Sequence, residues 1–162
     1  MKNTKNTQNK RCGNCGKMEM KLTKTLGPFR WKDFSKVTLV HPIELLKCQS
    51  CGEHGIRPGD AKRLDHVIEA SIRSYSKEMV ETILAREECS QIDLAARAGI
   101  TPEYLSGLKT GSRTSGFQTF NILKMLATDP KAFAISDPAG SLTDELMSSA
   151  KDNYEEMLQK LV

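Results

Sequence analysis

Two Cys-x-x-Cys-Gly segments, Cys12-Gly13-Asn14-Cys15-Gly16 and Cys48-Gln49-Ser50-Cys51-Gly52, constrain this chain more than any other feature. Two residues between cysteines let both thiolates of a pair reach one ion. The glycine after each pair tolerates the left-handed turn that aims backbone N–H groups at sulfur. Two such knuckles complete a closed tetrahedral four-sulfur site, the geometry of structural zinc; iron can use the same ligands. The expectation is one structural Zn2+ per chain, held by Cys12, Cys15, Cys48 and Cys51. A redox dithiol or a disulfide pair is the alternative. A redox motif, however, needs only one Cys-x-x-Cys at a helix start, within a thioredoxin-like pattern that is absent here. Four sulfurs also leave no open position for a catalytic water. His41 and His54 are possible replacement ligands, with solvent-facing or packing roles as the simpler reading. Cys89, alone between two inferred helices, reads as an inert buried thiol.

The 32 residues between the knuckles leave room for a small hairpin. Met18–Leu22 and Val37–Val40 are alternating or β-branched and suit its strands, and Gly27-Pro28 suits a turn between them. A segment this short is expected to have little core of its own, so metal is expected to supply much of its folding free energy, on the order of 10 kcal/mol. The polar Met1–Lys10 segment is expected to be disordered, giving a basic tail over residues 1–11 ahead of a zinc-binding domain over 12–58. It also lacks the apolar region of a signal peptide, and no stretch reaches the roughly 18 apolar residues of a membrane span. These readings imply a cytoplasmic protein with no membrane partner, in a compartment where disulfides rarely persist. Charge is uneven. Residues 1–60 carry 12 Lys/Arg against 5 Asp/Glu, whereas residues 61–162 carry 12 against 15, so an acidic partner would meet the first third.

After Pro58-Gly59-Asp60 the periodicity becomes helical. Leu64, Val67, Ile68, Ile72 and Tyr75 predict an amphipathic linker helix over residues 59–75. Four short helices are then expected within a domain over 76–136. Ser76 would cap the first, with Met79, Val80, Ile83 and Leu84 on its apolar face. Ser90-Gln91-Ile92-Asp93 forms a capping box for the second, which Gly99 ends. Thr101-Pro102 opens the third and Gly111 closes it. Ser115-Gly116-Phe117-Gln118 forms a further capping box. A last helix, from about Leu142 to Leu161, is expected in the tail over 137–162. The predicted fold is therefore mainly α, with a small N-terminal β-hairpin zinc domain and a C-terminal helix-turn-helix bundle.

The second and third helices, joined by a short turn at Gly99, have the order of a helix-turn-helix, whose second helix enters the DNA major groove. Leu94, Ala95 and Ala98 would pack on Ile100, Leu105 and Leu108. Thr101, Glu103, Tyr104, Ser106, Gly107, Lys109, Thr110, Ser112 and Arg113 would lie on or near the exposed side. Gln91, at the preceding helix start, is placed for a phosphate, and Lys109, Ser112 and Arg113 for backbone contacts. Against this, residues 76–136 carry seven basic and seven acidic side chains, so the domain has no overall electrostatic footprint for DNA.

From Cys12 to Phe133 the chain resembles the MqsA-type (YgiT-like) antitoxins. The resemblance rests on Cys48-Gln49-Ser50-Cys51-Gly52-Glu53, the linker helix, and Ser90-Gln91-Ile92-Asp93-Leu94-Ala95 through Ile100 to Gly111. It implies an N-terminal zinc domain before an Xre/Cro-class helix-turn-helix domain. It further implies a homodimer on a palindromic double-stranded DNA operator, repression of its own operon, and a cognate toxin held by the zinc domain. Lys109 stands where that class usually has glutamate, and Glu103 and Gly107 fall where the antitoxins tend to carry Asn and Arg. The expected function is a sequence-specific DNA-binding regulator. The alternative is an adaptor whose basic zinc domain grips a protein partner while the helical domain only dimerises. No nucleophile–base pairing or phosphate loop suggests an enzyme.

Overall fold

In the computed structural model, which describes residues 10–135, five strands precede five helices among those residues. The chain divides into two compact units at Tyr75/Ser76.

In the first unit, β1 (Met20–Thr25) pairs antiparallel with β4 (Ile43–Cys48), which in turn pairs with β5 (His54–Gly55). A separate hairpin is formed by β2 (Phe29–Trp31) and β3 (Phe34–Val37). The expected pairing of residues 18–22 with 37–40 is thus replaced by a longer-range one. β1 takes the strand that ends in the second knuckle, in the register Met20↔Cys48 to Thr25↔Ile43. The reason lies in burial. Ile43, Leu45, Leu46 and Cys48 are all buried, an apolar content that the Val37–Val40 segment does not match. Gly27-Pro28, expected to join the two strands, instead leads into the β2–β3 hairpin through a cis peptide bond. Of the residues expected in a basic tail, Lys10 bridges to Met20 and Arg11 Nε donates to the Gly16 carbonyl at 2.9 Å, while residues 1–9 lie outside the described residues.

The segment 59–75 is not a free-standing linker. A single helix, α1, runs from Asp60 to Glu87 without interruption. No glycine or proline lies within it to break the 3.6-residue repeat. Its first half serves the N-terminal unit: Leu64, Ile68 and Ile72 are buried at four-residue spacing. Hydrogen bonds fix this half to the strand region. Trp31 Nε1 donates to Asp65 Oδ1 at 3.0 Å, the Val40 amide to Ser71 Oγ at 3.1 Å, and Tyr75 Oη to the Thr38 carbonyl at 3.1 Å. The inter-knuckle segment also holds more core than expected: Met20, Phe34, Val37, Leu39, Ile43, Leu45 and Leu46 are buried there, and the helix adds Leu64, Ile68 and Ile72.

At the start of α1, the nearly buried Asp60 carboxylate takes a forked pair of bonds from Arg57, Nε at 2.6 Å and Nη2 at 3.1 Å. Arg63 lies 3.3 Å from the same group. The Arg57 hydrogen bond, outweighing burial, holds the Asp60 carboxyl below the usual carboxylate range. Because the folded pKa is depressed, this contribution is present above about pH 4 and fades as pH falls through the lowered value. Asp60→Asn is expected to cost about 1–3 kcal/mol at neutral pH by urea unfolding. An Asp60 carboxyl carbon titrating by NMR at or above the ordinary aspartate value would contradict the assignment.

In the second unit, the rest of α1 is followed by α2 (Gln91–Arg97), α3 (Pro102–Thr110), α4 (Phe117–Thr128) and α5 (Pro130–Ile135). The core contains Val80, Ile83, Leu94, Ala95, Ala98, Leu105, Leu108, Leu123, Leu126 and Phe133, with Ile100 packed against it. Ser76, expected as an N-cap, lies inside α1. Its hydroxyl, fully buried, pairs with that of Ser115 at 2.7 Å. Ser115 is therefore not the cap of α4 either. Gly116 takes that position with no side-chain cap bond. Two buried hydroxyls satisfying each other avoid the penalty of an unpaired polar group, and this outweighs a surface cap. The helix expected at 142–161 lies outside the described residues.

Candidate functional site

Antiparallel pairing of β1 with β4 gathers the four cysteines. The first knuckle precedes β1 and the second begins at the last residue of β4, so a register of Met20 opposite Cys48 brings both to one end of the sheet. The two turns are built alike. Gly16 N–H donates to the Cys12 carbonyl and Gly52 N–H to the Cys48 carbonyl, both at 3.0 Å. Likewise the Cys12 amide donates to Lys17 O and the Cys48 amide to Glu53 O, both at 2.8 Å. Gly16 and Gly52 have φ of 73° and 77°, the left-handed conformation that a Cβ disfavours.

Cys12 and Cys48 are buried, while Cys15 and Cys51 sit at the surface. The sulfurs of Cys12 and Cys51 are 3.6 Å apart, as are those of Cys15 and Cys48, and all four lie within 4.8 Å of one another. A disulfide would need about 2.05 Å. A tetrahedron of sulfurs around one ion with bonds of about 2.3 Å has edges of about 3.8 Å, close to what these residues present. The donor set therefore fits a structural metal ion.

Electrostatics point the same way. The backbone N–H groups of Cys51 and, less strongly, Ser50 stabilise the Cys48 thiolate and bring its pKa down to about 7 despite burial. At Cys15 the Lys17 N–H acts in the same sense. Burial and the thiols of Cys48, Cys51 and Cys12 outweigh it, leaving that thiol pushed up to about 11. Four crowded thiols resist ionising together unless a cation compensates them.

The histidines stay outside this cluster. His41 is exposed. His54 packs against Phe29 at a tilt with ring centroids 5.6 Å apart, and its buried Nε2 has no hydrogen-bond partner among the described residues. Cys89 is half-buried, and burial chiefly raises its thiol.

In the second unit, α2 and α3 are joined by the turn from Ala98 to Thr101, with Gly99 at φ 64°. The capping box at α2 has the expected partners: the Asp93 amide donates to Ser90 Oγ at 3.1 Å and the Ser90 amide to Asp93 Oδ2 at 3.2 Å. These Ser90 bonds, from hydroxyl and then amide, hold the Asp93 carboxyl below its ordinary range. Thr101 Oγ1 accepts from the Tyr104 amide at 3.2 Å, and Gly111 closes α3 at φ 73°.

Of the surface candidates, Thr101, Glu103, Ser106, Thr110, Ser112 and Arg113 are exposed, and Gln91, Tyr104 and Lys109 are half-buried. Gly107, expected on the exposed side, is buried. The side chain of Arg113 covers it, and the Gly107 carbonyl accepts from Thr110 Oγ1 and Ser112 Oγ, both at 3.2 Å. Its occlusion depends on the segment after α3 folding back, which helical spacing does not reveal.

No protein-family model matches this chain, and no curated protein matches it. Among the described residues, no helix is long and apolar enough to cross a membrane.

Proposed function

We propose that this chain is a sequence-specific DNA-binding regulator whose N-terminal unit is held by one structural zinc ion on Cys12, Cys15, Cys48 and Cys51. The observation that carries the DNA reading is the α2–turn–α3 pair. Two short capped helices share a core of Leu94, Ala95, Ala98, Leu105 and Leu108, leaving Thr101, Glu103 and Ser106 on exposed surface. In a helix-turn-helix such a surface meets base edges in the major groove. Zinc is preferred to iron because a four-thiolate site without redox cues suits a closed, redox-inert ion. A closed site of this kind has a folding role and no catalytic one.

The resemblance to MqsA-type antitoxins extends this reading to a cytoplasmic homodimeric repressor on a palindromic operator, with a toxin as a partner of the zinc domain. Fluorescence anisotropy on DNA from upstream of its own coding region, against scrambled DNA across a salt series, tests the core of it. Preferential binding that persists as salt rises is the expected result. Equal binding to both DNAs would remove the reading. Zinc analysis, expected near one ion per chain, accompanies the assay.

A second reading has its own observation. Residues 1–60 hold 12 Lys/Arg against 5 Asp/Glu, whereas residues 76–136 are balanced at seven and seven. On that basis the chain would be an adaptor, with the basic unit gripping an acidic protein. Charge reversal at Lys109 and Arg113 without effect in cells would favour it.

A further inference from the structure

The three arginines between Ser76 and Ile135 are not equivalent. Arg86 donates from Nη1 to the Ala127 carbonyl at 2.8 Å and from Nη2 to the Leu126 carbonyl at 2.6 Å, closing the end of α4. Arg97 donates to the Phe133 carbonyl at 2.8 Å and lies 4.4 Å from the centroid of the Phe133 ring. Arg113 is exposed, and among the described residues it forms no ion pair. Its guanidinium carbon lies 5.7 Å from the centroid of Tyr104.

What holds Arg113 there is the bare surface of Gly107. A Cβ at that position would come within 2.8 Å of Arg113 Cδ and 2.9 Å of Cγ. The backbone conformation of Gly107 does not require glycine, since it lies within α3 and is not among the positive-φ residues. Alanine would favour the helix more. The absence of a side chain is thus explained by what passes over it. The Gly107 carbonyl also accepts from the Arg113 amide at 3.1 Å, and with Thr110 and Ser112 this draws the whole 110–113 segment back onto α3.

We propose that Gly107 is a positioning residue, which seats Arg113 across α3 and against the Tyr104 ring so that its guanidinium is pre-formed to bind a DNA phosphate. This rests on the DNA-binding reading above. Arginine carries large rotamer freedom, and a side chain already ordered loses less of it on binding. A planar guanidinium with its stem and face packed keeps its N–H edge available to phosphate oxygens.

The test uses the full chain with fluorescein-labelled duplex DNA from its own upstream region, at about 50 to 200 mM salt. Arg113→Ala is expected to weaken binding roughly tenfold at low salt and to flatten the salt slope by about one ion. Gly107→Ala is expected to reproduce both changes with Arg113 still present, at an unchanged or higher melting temperature. Lys124→Ala, removing a charge outside this site, keeps the wild-type slope. Without DNA, the Arg113 Nε–H resonance should move in Gly107→Ala as the guanidinium leaves the Tyr104 ring. Wild-type affinity and slope in Gly107→Ala overturns the positioning role while the DNA reading stands. An unchanged slope in Arg113→Ala overturns the phosphate contact. Wild-type protein that does not distinguish upstream from scrambled DNA removes the DNA reading, and this proposal with it.

Discussion

Replacing Cys48 with serine is expected to abolish metal binding and unfold the N-terminal unit while the second unit keeps its own transition. Cys48 is 1% exposed, lies 3.6 Å from the Cys15 sulfur, and ends the strand that pairs with β1. A serine hydroxyl is a poor ligand for a soft site, so the remaining three sulfurs would hold the ion weakly. Binding free energy at such sites is folding free energy, on the order of 10 kcal/mol, more than a unit of this size has to spare. Chelation of the wild-type protein should have the same consequence. Metal analysis and amide hydrogen exchange over residues 10–75 provide the readout. A serine variant that retained one ion per chain and protected β1 and β4 amides would refute the four-sulfur assignment. Acid acts in the same direction, since protons compete with metal for the thiolates.

The second large effect is expected at Leu105, which is fully buried in the core that also contains Leu94, Leu108, Leu123 and Leu126. Leu105→Ala removes apolar contact and leaves a cavity in the core that Leu105 shares with Ala95 and Ala98. Such truncations cost about 2–5 kcal/mol. For a unit of roughly 60 residues, total stability is on the order of 3–9 kcal/mol, so the variant should be partly unfolded at 37 °C. Ser106→Ala, one residue along on the exposed side, should shift stability by less than about 0.5 kcal/mol. Urea unfolding followed by circular dichroism compares the two. Equal midpoints for both variants would mean that the α3 face is assigned wrongly.

Local rules were legible residue by residue. The knuckle glycines, the Ser90–Asp93 box, the Thr101-Pro102 start and the Gly111 stop each depend on hydrogen bonds and dihedrals within four or five residues. The buried residues Val80, Ile83, Leu94, Ala95, Ala98, Leu105 and Leu108 were likewise visible in helical spacing, because a short amphipathic helix has one apolar side to bury. Position 107 shows where that logic stops. Spacing places it with Thr110, but Arg113 returning from beyond the helix end covers it.

The sequence by itself determined which side chains could hold a metal, where α2 and α3 begin and end, and which of their residues are apolar enough to be buried. Each is a property of a few adjacent residues. Only the tertiary structure decided that β1 pairs with β4 and so closes the four-sulfur cluster, that Asp60–Glu87 is one helix, and that Ser76 and Ser115 satisfy each other instead of capping. The strand pairing and the serine pair turn on partners between 18 and 39 positions apart in the chain. At such separations the choice is made by which pairing buries the most apolar surface without stranding a polar group, and no local pattern encodes that comparison.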